Sequence, residues 1–212
     1  MMNRTLTTLG STVVLSGALL LLGGLSAAQA TPAGFKVASI NAQDYTDIMR
    51  VAPKTAEDYY NQGLALHGQG QFAAAVEKLN RAVDLEPENP DYYFSRGLAY
   101  ADLGNQTLAI QDYGQAIALD NQLASAYYNR GKARFALRQA DLAIADFSEA
   151  LVIDSSFVAA YYGRGMAYYD KGDVKMAQKD YGQAKHLNPQ LAEAFYDQGF
   201  VRPLVGGDTN PR

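Results

Sequence analysis

Residues 90–123 read PDYYFSRGLAYADLGNQTLAIQDYGQAIALDNQL, and this stretch of 34 residues decides the fold because the chain repeats its pattern. The same pattern fills residues 56–89, 124–157 and 158–191 without a gap, and an incomplete copy, AEAFYDQGFVR, occupies residues 192–202. A fixed period of this length indicates that one supersecondary unit is stacked along the chain. The sequence therefore predicts four full repeats and one half-repeat.

Each repeat keeps the same types of residue at the same positions, which we number from 1 at Ala56, Pro90, Ala124 and Val158. Hydrophobic residues recur every three to four residues in two stretches of each repeat, and this spacing predicts two amphipathic helices. The shared residues are an aromatic at position 4 (Tyr59, Tyr93, Tyr127, Tyr161, Phe195), Gly at position 8 (Gly63, Gly97, Gly131, Gly165, Gly199), Ala at position 20 (Ala75, Ala109, Ala143, Ala177), a large apolar or aromatic residue at position 24 (Leu79, Tyr113, Phe147, Tyr181) and Ala at position 27 (Ala82, Ala116, Ala150, Ala184).

The turn between the two helices falls at Gly70, Gly104 and Gly172, where glycine can take the left-handed conformation that ends a helix. Arg138 stands at this place in the third repeat, which predicts either a local strain of about 1 kcal/mol or a different turn. The small residues at positions 8 and 20 predict that the two helices approach each other closely, since larger side chains would force them apart.

The period and these positions resemble those of the tetratricopeptide repeat family, in which each repeat is a helix pair. The resemblance covers residues 56–202. It implies an all-α fold, a right-handed superhelical solenoid of antiparallel helix pairs, with about four repeats and a C-terminal capping helix over residues 192–202. One pair cannot bury its apolar face alone, so the pairs must stack.

The two ends of the chain lie outside the repeats. Residues 1–30 carry one positive charge and an apolar run before the small residues Ala28 and Ala30, which is typical of a signal peptide cleaved after Ala30. An uncleaved N-terminal anchor is the alternative. Residues 31–55 predict an irregular lead-in, and residues 203–212 predict a flexible tail. We expect an exported protein of the periplasm or the thylakoid lumen, or a secreted one, without a membrane span after cleavage; peripheral association with a membrane complex stays open.

Composition narrows the classes of function. The net charge of −4 and the pI near 5.1 argue against a nucleic-acid binder, which needs a basic surface to neutralise phosphates. The absence of cysteine excludes disulfides, cysteine-ligated metals and thiol catalysis. The two histidines, His67 and His186, lie in different repeats at different positions, with no spaced carboxylate or nucleophile that would indicate a triad or a metal site. We therefore predict no enzymatic activity, no metal and no cofactor.

The first helix of each repeat carries the candidate binding surface. In the proteins that this chain resembles, first helices line a concave groove, and positions 2, 5, 9, 12 and 13 face it. The aromatic residues at position 5 leave two alternatives: they line the groove, where rings bind partners at low entropic cost, or they pack between repeats as core. The predicted groove residues are Tyr60, Leu64, Phe94, Leu98, Tyr128, Lys132, Phe135, Tyr162, Met166, Tyr169 and Tyr196.

Positions 7 and 23 change together along the chain. They are Arg and Asp in the second, third and fourth repeats, whereas the first repeat has Gln62 and Lys78. Because an arginine fork can hold a carboxylate with two hydrogen bonds, we predict an ion pair inside each of these hairpins, with an anion site as the alternative. The predicted pairs are Arg96 with Asp112, Arg130 with Asp146, and Arg164 with Asp180.

Some relatives grip the C-terminal carboxylate of heat-shock chaperones with Lys, Asn and Arg side chains of their first helices. This chain lacks that clamp, since the corresponding residues are Tyr60, Leu64, Ser95, Ser125 and Asn129. The resemblance implies a non-catalytic scaffold or assembly factor outside the cytoplasm that binds a protein or peptide partner in the aromatic groove. A self-associating structural protein is one alternative, with an oligomer left open, and a small-molecule or glycan-binding module is another.

Overall fold

The computed structural model describes residues 55–190, and within this range the chain forms eight α-helices and no strand. Each repeat is a first helix of 13 residues followed by a second helix of 14. The signal peptide, the half-repeat, the tail and all of the lead-in except Thr55 lie outside the described residues. The helices are α1 (Ala56–Gly68), α2 (Phe72–Leu85), α3 (Pro90–Asp102), α4 (Gln106–Leu119), α5 (Ala124–Ala136), α6 (Ala140–Ile153), α7 (Val158–Asp170) and α8 (Val174–Leu187).

The helices pack in the order in which they occur. The two helices of a repeat form the most extensive contact, each second helix then packs against the first helix of the next repeat, and consecutive first helices touch along one side. Stacked helix pairs of this kind form a solenoid, in which each repeat contacts its neighbours only. The prediction of an all-α repeat solenoid is therefore confirmed.

The starts of the helices differ from repeat to repeat. Before α1, the hydroxyl of Thr55 accepts from the Asp58 amide at 3.1 Å, while the Thr55 amide donates to the Asp58 carboxylate at 3.0 Å, which is a complete capping box. Asn89 caps α3 through its side chain. In the third repeat, Leu123 precedes α5 and Gln139 precedes α6, and neither makes a side-chain capping bond.

All four turns inside the repeats place one residue in the left-handed conformation at the same repeat position. The φ angles are 73° at Gly70, 80° at Gly104 and 83° at Gly172, and Arg138 takes 61° at the corresponding place. The third repeat therefore keeps the common turn, and of the two alternatives predicted for Arg138 it is the strained backbone that the fold adopts.

The small residues bring the two helices of each repeat together. A Cβ added to Gly97 would lie 2.7 Å from Cε1 of Tyr113, and one added to Gly165 would lie 2.5 Å from Cε1 of Tyr181. Such contacts are too short for carbon atoms, so the ring at position 24 occupies the space that position 8 leaves free. The alanines at positions 20 and 27 have no exposed surface in any of the four repeats.

Candidate functional site

The first helices α1, α3, α5 and α7 lie in sequence along one side of the solenoid. Two contacts between neighbouring repeats mark this side: the Ser95 hydroxyl donates to the Tyr60 hydroxyl at 3.4 Å, and Nε2 of His67 lies 2.8 Å from a carboxylate oxygen of Asp102. These pairs join positions 5 and 6 and positions 12 and 13 of successive repeats. The structure therefore brings the predicted groove positions of neighbouring repeats next to one another.

The aromatic residues at position 5 mostly lie in the core, which corrects their predicted place in the groove. Tyr60, Phe94 and Tyr162 are all buried. The ring centroids of Phe94 and Tyr113 are 5.8 Å apart, and those of Tyr162 and Tyr181 are 5.5 Å apart. Rings of the first and second helix thus face each other inside the pair. Phe94 and Tyr162 belong to the core, as the second alternative had it, but their ring partners lie in the same repeat and not in the neighbouring one. This burial removes them from any partner.

Tyr128 is the partial exception at position 5, because it is only half-buried. Its ring centroid lies 5.8 Å from that of Phe147 and 4.8 Å from that of Phe157, and the ammonium of Lys132 lies 5.5 Å above the ring. Burial raises the pKa of Tyr128 to about 12, so its hydroxyl is neutral at physiological pH.

The other predicted groove residues differ in accessibility. Leu64 is buried, and Tyr196 lies outside the described residues. Lys132 is exposed, and so is Tyr169, with 47% of its surface accessible. The half-buried residues are Leu98, Phe135 and Met166. The accessible part of the predicted surface therefore lies mainly in the third and fourth repeats.

Lys132 is a cation without a salt bridge among the described residues. Although the residue as a whole is exposed, crowding by neighbouring atoms lowers the pKa of its ammonium, and the negative charge of Asp102 opposes this effect. An ammonium that lies above an aromatic ring and has no salt bridge within residues 55–190 can bind a carboxylate of a partner.

In each of the last three repeats the arginine at position 7 donates to the aspartate at position 23. Nε and Nη2 of Arg96 lie 2.8 and 2.7 Å from the two oxygens of Asp112, and the same atoms of Arg164 lie 2.7 and 2.8 Å from those of Asp180. The hydrogen bond to each aspartate is the main cause that raises the pKa of Arg96 and of Arg164. These bidentate ion pairs join the first helix to the second helix of the repeat, between the residues that were predicted to pair.

Two of these arginines also reach the preceding repeat, a contact that sequence reasoning missed. Nη1 of Arg96 donates to the Asn80 side chain at 2.9 Å, and Nη1 of Arg164 donates to the Ser148 hydroxyl at 3.1 Å. Both acceptors stand at position 25 of the preceding second helix. The signal was present in the sequence as a polar residue sixteen places before each of these arginines, since Asn80 precedes Arg96 by that distance and Ser148 precedes Arg164.

We call the arginines at position 7 (Arg96, Arg130 and Arg164), together with the aspartates that they bind at position 23, the ladder. Each arginine of the ladder also stacks over the tyrosine three residues earlier. The guanidinium carbon lies 5.4 Å from the Tyr93 ring, 5.4 Å from the Tyr127 ring and 5.6 Å from the Tyr161 ring. In the first repeat the ammonium of Lys78 lies 5.9 Å from the Tyr59 ring instead. A cation thus covers the position-4 ring in all four repeats, although it comes from a different helix in the first.

The third repeat departs from its neighbours at the ladder. Nε and Nη2 of Arg130 bind Asp146 at 3.1 and 2.7 Å, and Arg134 adds a second guanidinium to the same carboxylate at 2.8 Å. Arg134 stands at position 11, where the second and fourth repeats have Tyr100 and Tyr168. Sequence reasoning did not single out Arg134, although its placement one helical turn after Arg130 was a usable signal.

Among residues 55–190, no group of three or more His, Asp and Glu side chains is placed to hold a metal ion. Nor is any helix in this part of the chain long and apolar enough to cross a membrane.

Family comparisons match the repeats that the structure shows. A family model described as "TPR repeat" matches residues 63–104, 97–137 and 133–172, and one described as "Tetratricopeptide repeat" matches residues 158–191. A comparison with curated proteins gave no match.

Several solved structures resemble the solenoid. The crystal structure of MamA has a TM-score of 0.64 at 26% identity, over 71% of this chain and 88% of that one. The Arabidopsis OM64 TPR domain has a TM-score of 0.54 at 29% identity, over 55% and 96%. The first TPR of Spaghetti (RPAP3), bound to the HSP90 peptide SRMEEVD, has a TM-score of 0.55 at 26% identity, over 57% and 97%.

Proposed function

Because the chain belongs to the tetratricopeptide repeat family, we propose that it is a non-catalytic scaffold that holds a partner polypeptide along its first helices. The observation that carries the proposal is a set of side chains on the first helices of the third and fourth repeats, which we call the binding row: the exposed Lys132 and Tyr169 and the half-buried Phe135 and Met166. It combines rings, a flexible thioether and one cation on rigid helices. Such a surface suits an extended peptide whose apolar side chains alternate with an acidic one.

The partner differs in kind from the peptide held by the similar RPAP3 domain, which was solved with SRMEEVD. The residues at the places of the carboxylate clamp include Tyr60, Leu64, Ser95 and Ser125, and all four are buried here. None of them can reach a peptide without unpacking the core. We therefore expect no binding of SRMEEVD, and the single cation of the binding row to act in place of a clamp.

The test of this proposal is partner recovery with variants that leave the core intact. Tyr169→Ala and Lys132→Ala remove accessible side chains, and Val152→Ala on α6, where 78% of the residue is exposed, is the matched control. Affinity purification from native membranes, followed by identification of the bound proteins, should recover the same partner with wild type and control but much less with the two variants. Equal recovery by all four proteins would contradict the binding row.

The place of action in this proposal is outside the cytoplasm. It is supported by the pattern of residues 1–30, with one positive charge, an apolar run and the small residues Ala28 and Ala30. Cell fractionation and mass spectrometry of the intact protein should give a chain that starts at Thr31 in the exported fraction. A chain that keeps residues 1–30 and stays in the cytoplasm would contradict export, while the binding experiment would be unaffected.

A further inference from the structure

In the third repeat the ladder holds one guanidinium more than its single carboxylate can neutralise. Arg130 and Arg134 both bind Asp146, and no second carboxylate among the described residues lies within 4.0 Å of either arginine. The three side chains are largely enclosed, with 18%, 20% and 3% of their surfaces exposed. In the second and fourth repeats, by contrast, one guanidinium faces one carboxylate, and Tyr100 and Tyr168 stand where Arg134 does.

At the junction of the second and third repeats, some N–H groups of these two arginines have no hydrogen-bond acceptor in the described part of the chain. Arg130 uses Nε and Nη2 on Asp146, so its Nη1 points elsewhere, and Arg134 uses only Nη1. Position 25 of the preceding helix, which supplies Asn80 to Arg96 and Ser148 to Arg164, is Gly114 here. A Cβ built on Gly114 would lie 3.7 Å from Nη1 of Arg130, so the glycine leaves this nitrogen room for an acceptor.

Neighbouring helices cannot supply the missing negative charge. The one charged residue of α4 is Asp112, and both of its oxygens accept from Arg96. On α6, Asp141 pairs with Lys171, and Glu149 is exposed and makes no ion pair with either arginine. The nitrogens that Asp146 leaves unused are not sealed from solvent, so an anion from outside the chain can reach them and compensate the excess positive charge.

We infer that the two guanidiniums of Arg130 and Arg134, with the space that Gly114 leaves beside Nη1 of Arg130, bind one carboxylate from outside the chain. A planar guanidinium matches a carboxylate in shape, and the excess of a single positive charge favours a monovalent anion. The source is either a free organic acid or a glutamate or aspartate of a bound protein, and both present the same group. This site shares no residue with the binding row, so it stands independently of the proposed function.

The first experiment compares the thermal unfolding of the full chain in sodium acetate and in sodium chloride at equal ionic strength. Wild type should show a saturable rise in Tm in acetate, about 3 °C at ten times the dissociation constant. Gly114→Ser supplies the acceptor that Ser148 provides elsewhere, and Arg134→Tyr restores the residue of the neighbouring repeats. Both variants use side chains that the fold already accepts at these positions, and both should lose the acetate response.

Gly182→Ser is the matched control, since it changes position 25 of the fourth repeat, where nothing lies within 4 Å of an added Cβ. It should respond to acetate as wild type does. An equal response in all four proteins would show a general salt effect and overturn the inference, as would a wild type that unfolds identically in both salts. A response of wild type to sodium sulfate but not to acetate would overturn the assignment to a carboxylate.

A second measurement does not depend on stability. In a ¹⁵N–¹H spectrum of the arginine side chains, titration with acetate should move the Nε resonance of Arg134 in a saturable way. The Nε resonances of Arg96 and Arg164, which donate to Asp112 and Asp180, should not move. A uniform shift of all three resonances would count against a site at this junction.

Discussion

The second and third repeats have the same arrangement of helices and turn but differ in their helix caps, their turn residue and the partners of their arginines. In the second repeat both helices begin at a side-chain cap, the turn uses Gly104, and Arg96 finds acceptors in its own repeat and in the preceding one. In the third repeat both caps are missing, Arg138 takes the left-handed turn, and two arginines share Asp146. Both repeats keep the period, the small residues, the ring at position 24 and the Arg–Asp pair, and both form the helix pair. The difference teaches that helix caps, the turn residue and additional charges can vary without loss of the pair.

The largest difference between the two repeats should appear when the central carboxylate loses its charge. Asp146→Asn leaves two enclosed guanidiniums without a counter-charge, so we expect a loss of about 3 kcal/mol in the free energy of unfolding. Asp112→Asn affects only Arg96, which keeps Asn80, so the loss should be about 1–2 kcal/mol. Urea unfolding followed by circular dichroism measures both; equal losses would mean that Arg134 adds nothing to the third repeat.

The sequence could predict contacts inside one repeat better than contacts that depend on how helices and repeats pack. The helix pairs, the turn at Arg138 and the Arg130–Asp146 spacing depend on contacts inside one repeat, where a fixed interval fixes the geometry. The burial of Phe94 and Tyr162 depends on the rings of the opposing second helix. It could not be predicted from the sequence, because a first helix carries apolar residues on both of its faces. The second acceptor of Arg96 belongs to the preceding repeat, so it becomes visible only when the pairs are stacked.

The next comparison concerns position 5, which is Phe94 in the second repeat and Tyr128 in the third. The folded pKa of Tyr128, about 12, lies above the ordinary value of 10.0, so the stability that this shift contributes is complete below pH 10 and is lost as the pH rises through 12. Tyr128→Phe should therefore gain about 1 kcal/mol over wild type at pH 11 relative to their difference at pH 7.

Urea unfolding at the two pH values checks this prediction, because the other tyrosines are common to both proteins and cancel in the comparison. A difference between variant and wild type that does not change with pH would mean that the Tyr128 hydroxyl reaches water as freely in the folded chain as in the unfolded one.

The turns allow a reciprocal exchange between the two repeats. Arg138→Gly removes the left-handed strain but also a pair with Asp170 that is largely exposed and hence weak. Since glycine also loses more chain entropy on folding, we expect a net gain of about 0.5–1 kcal/mol. Gly104→Arg, at a φ of 80°, should lose about 1 kcal/mol. Thermal unfolding of both variants measures the exchange; a loss in Arg138→Gly would show that the arginine contributes more than its backbone strain removes.

The smallest expected effect lies at the helix starts. Asn105 accepts from the Leu108 amide at 3.2 Å and so caps α4, whereas Gln139 makes no such bond before α6. The longer glutamine places its amide one methylene too far from the backbone, so Gln139→Asn should stabilise by about 0.5 kcal/mol and Asn105→Gln should destabilise by a similar amount. The φ angles of −94° and −87° at the two caps are close enough for the exchange to test the side chain alone.

Amide hydrogen exchange at Leu142, the counterpart of Leu108 in the third repeat, gives the local readout. Slower exchange there in Gln139→Asn is the expected result, and unchanged exchange would mean that the third repeat begins α6 as securely without a cap as the second repeat begins α4 with one.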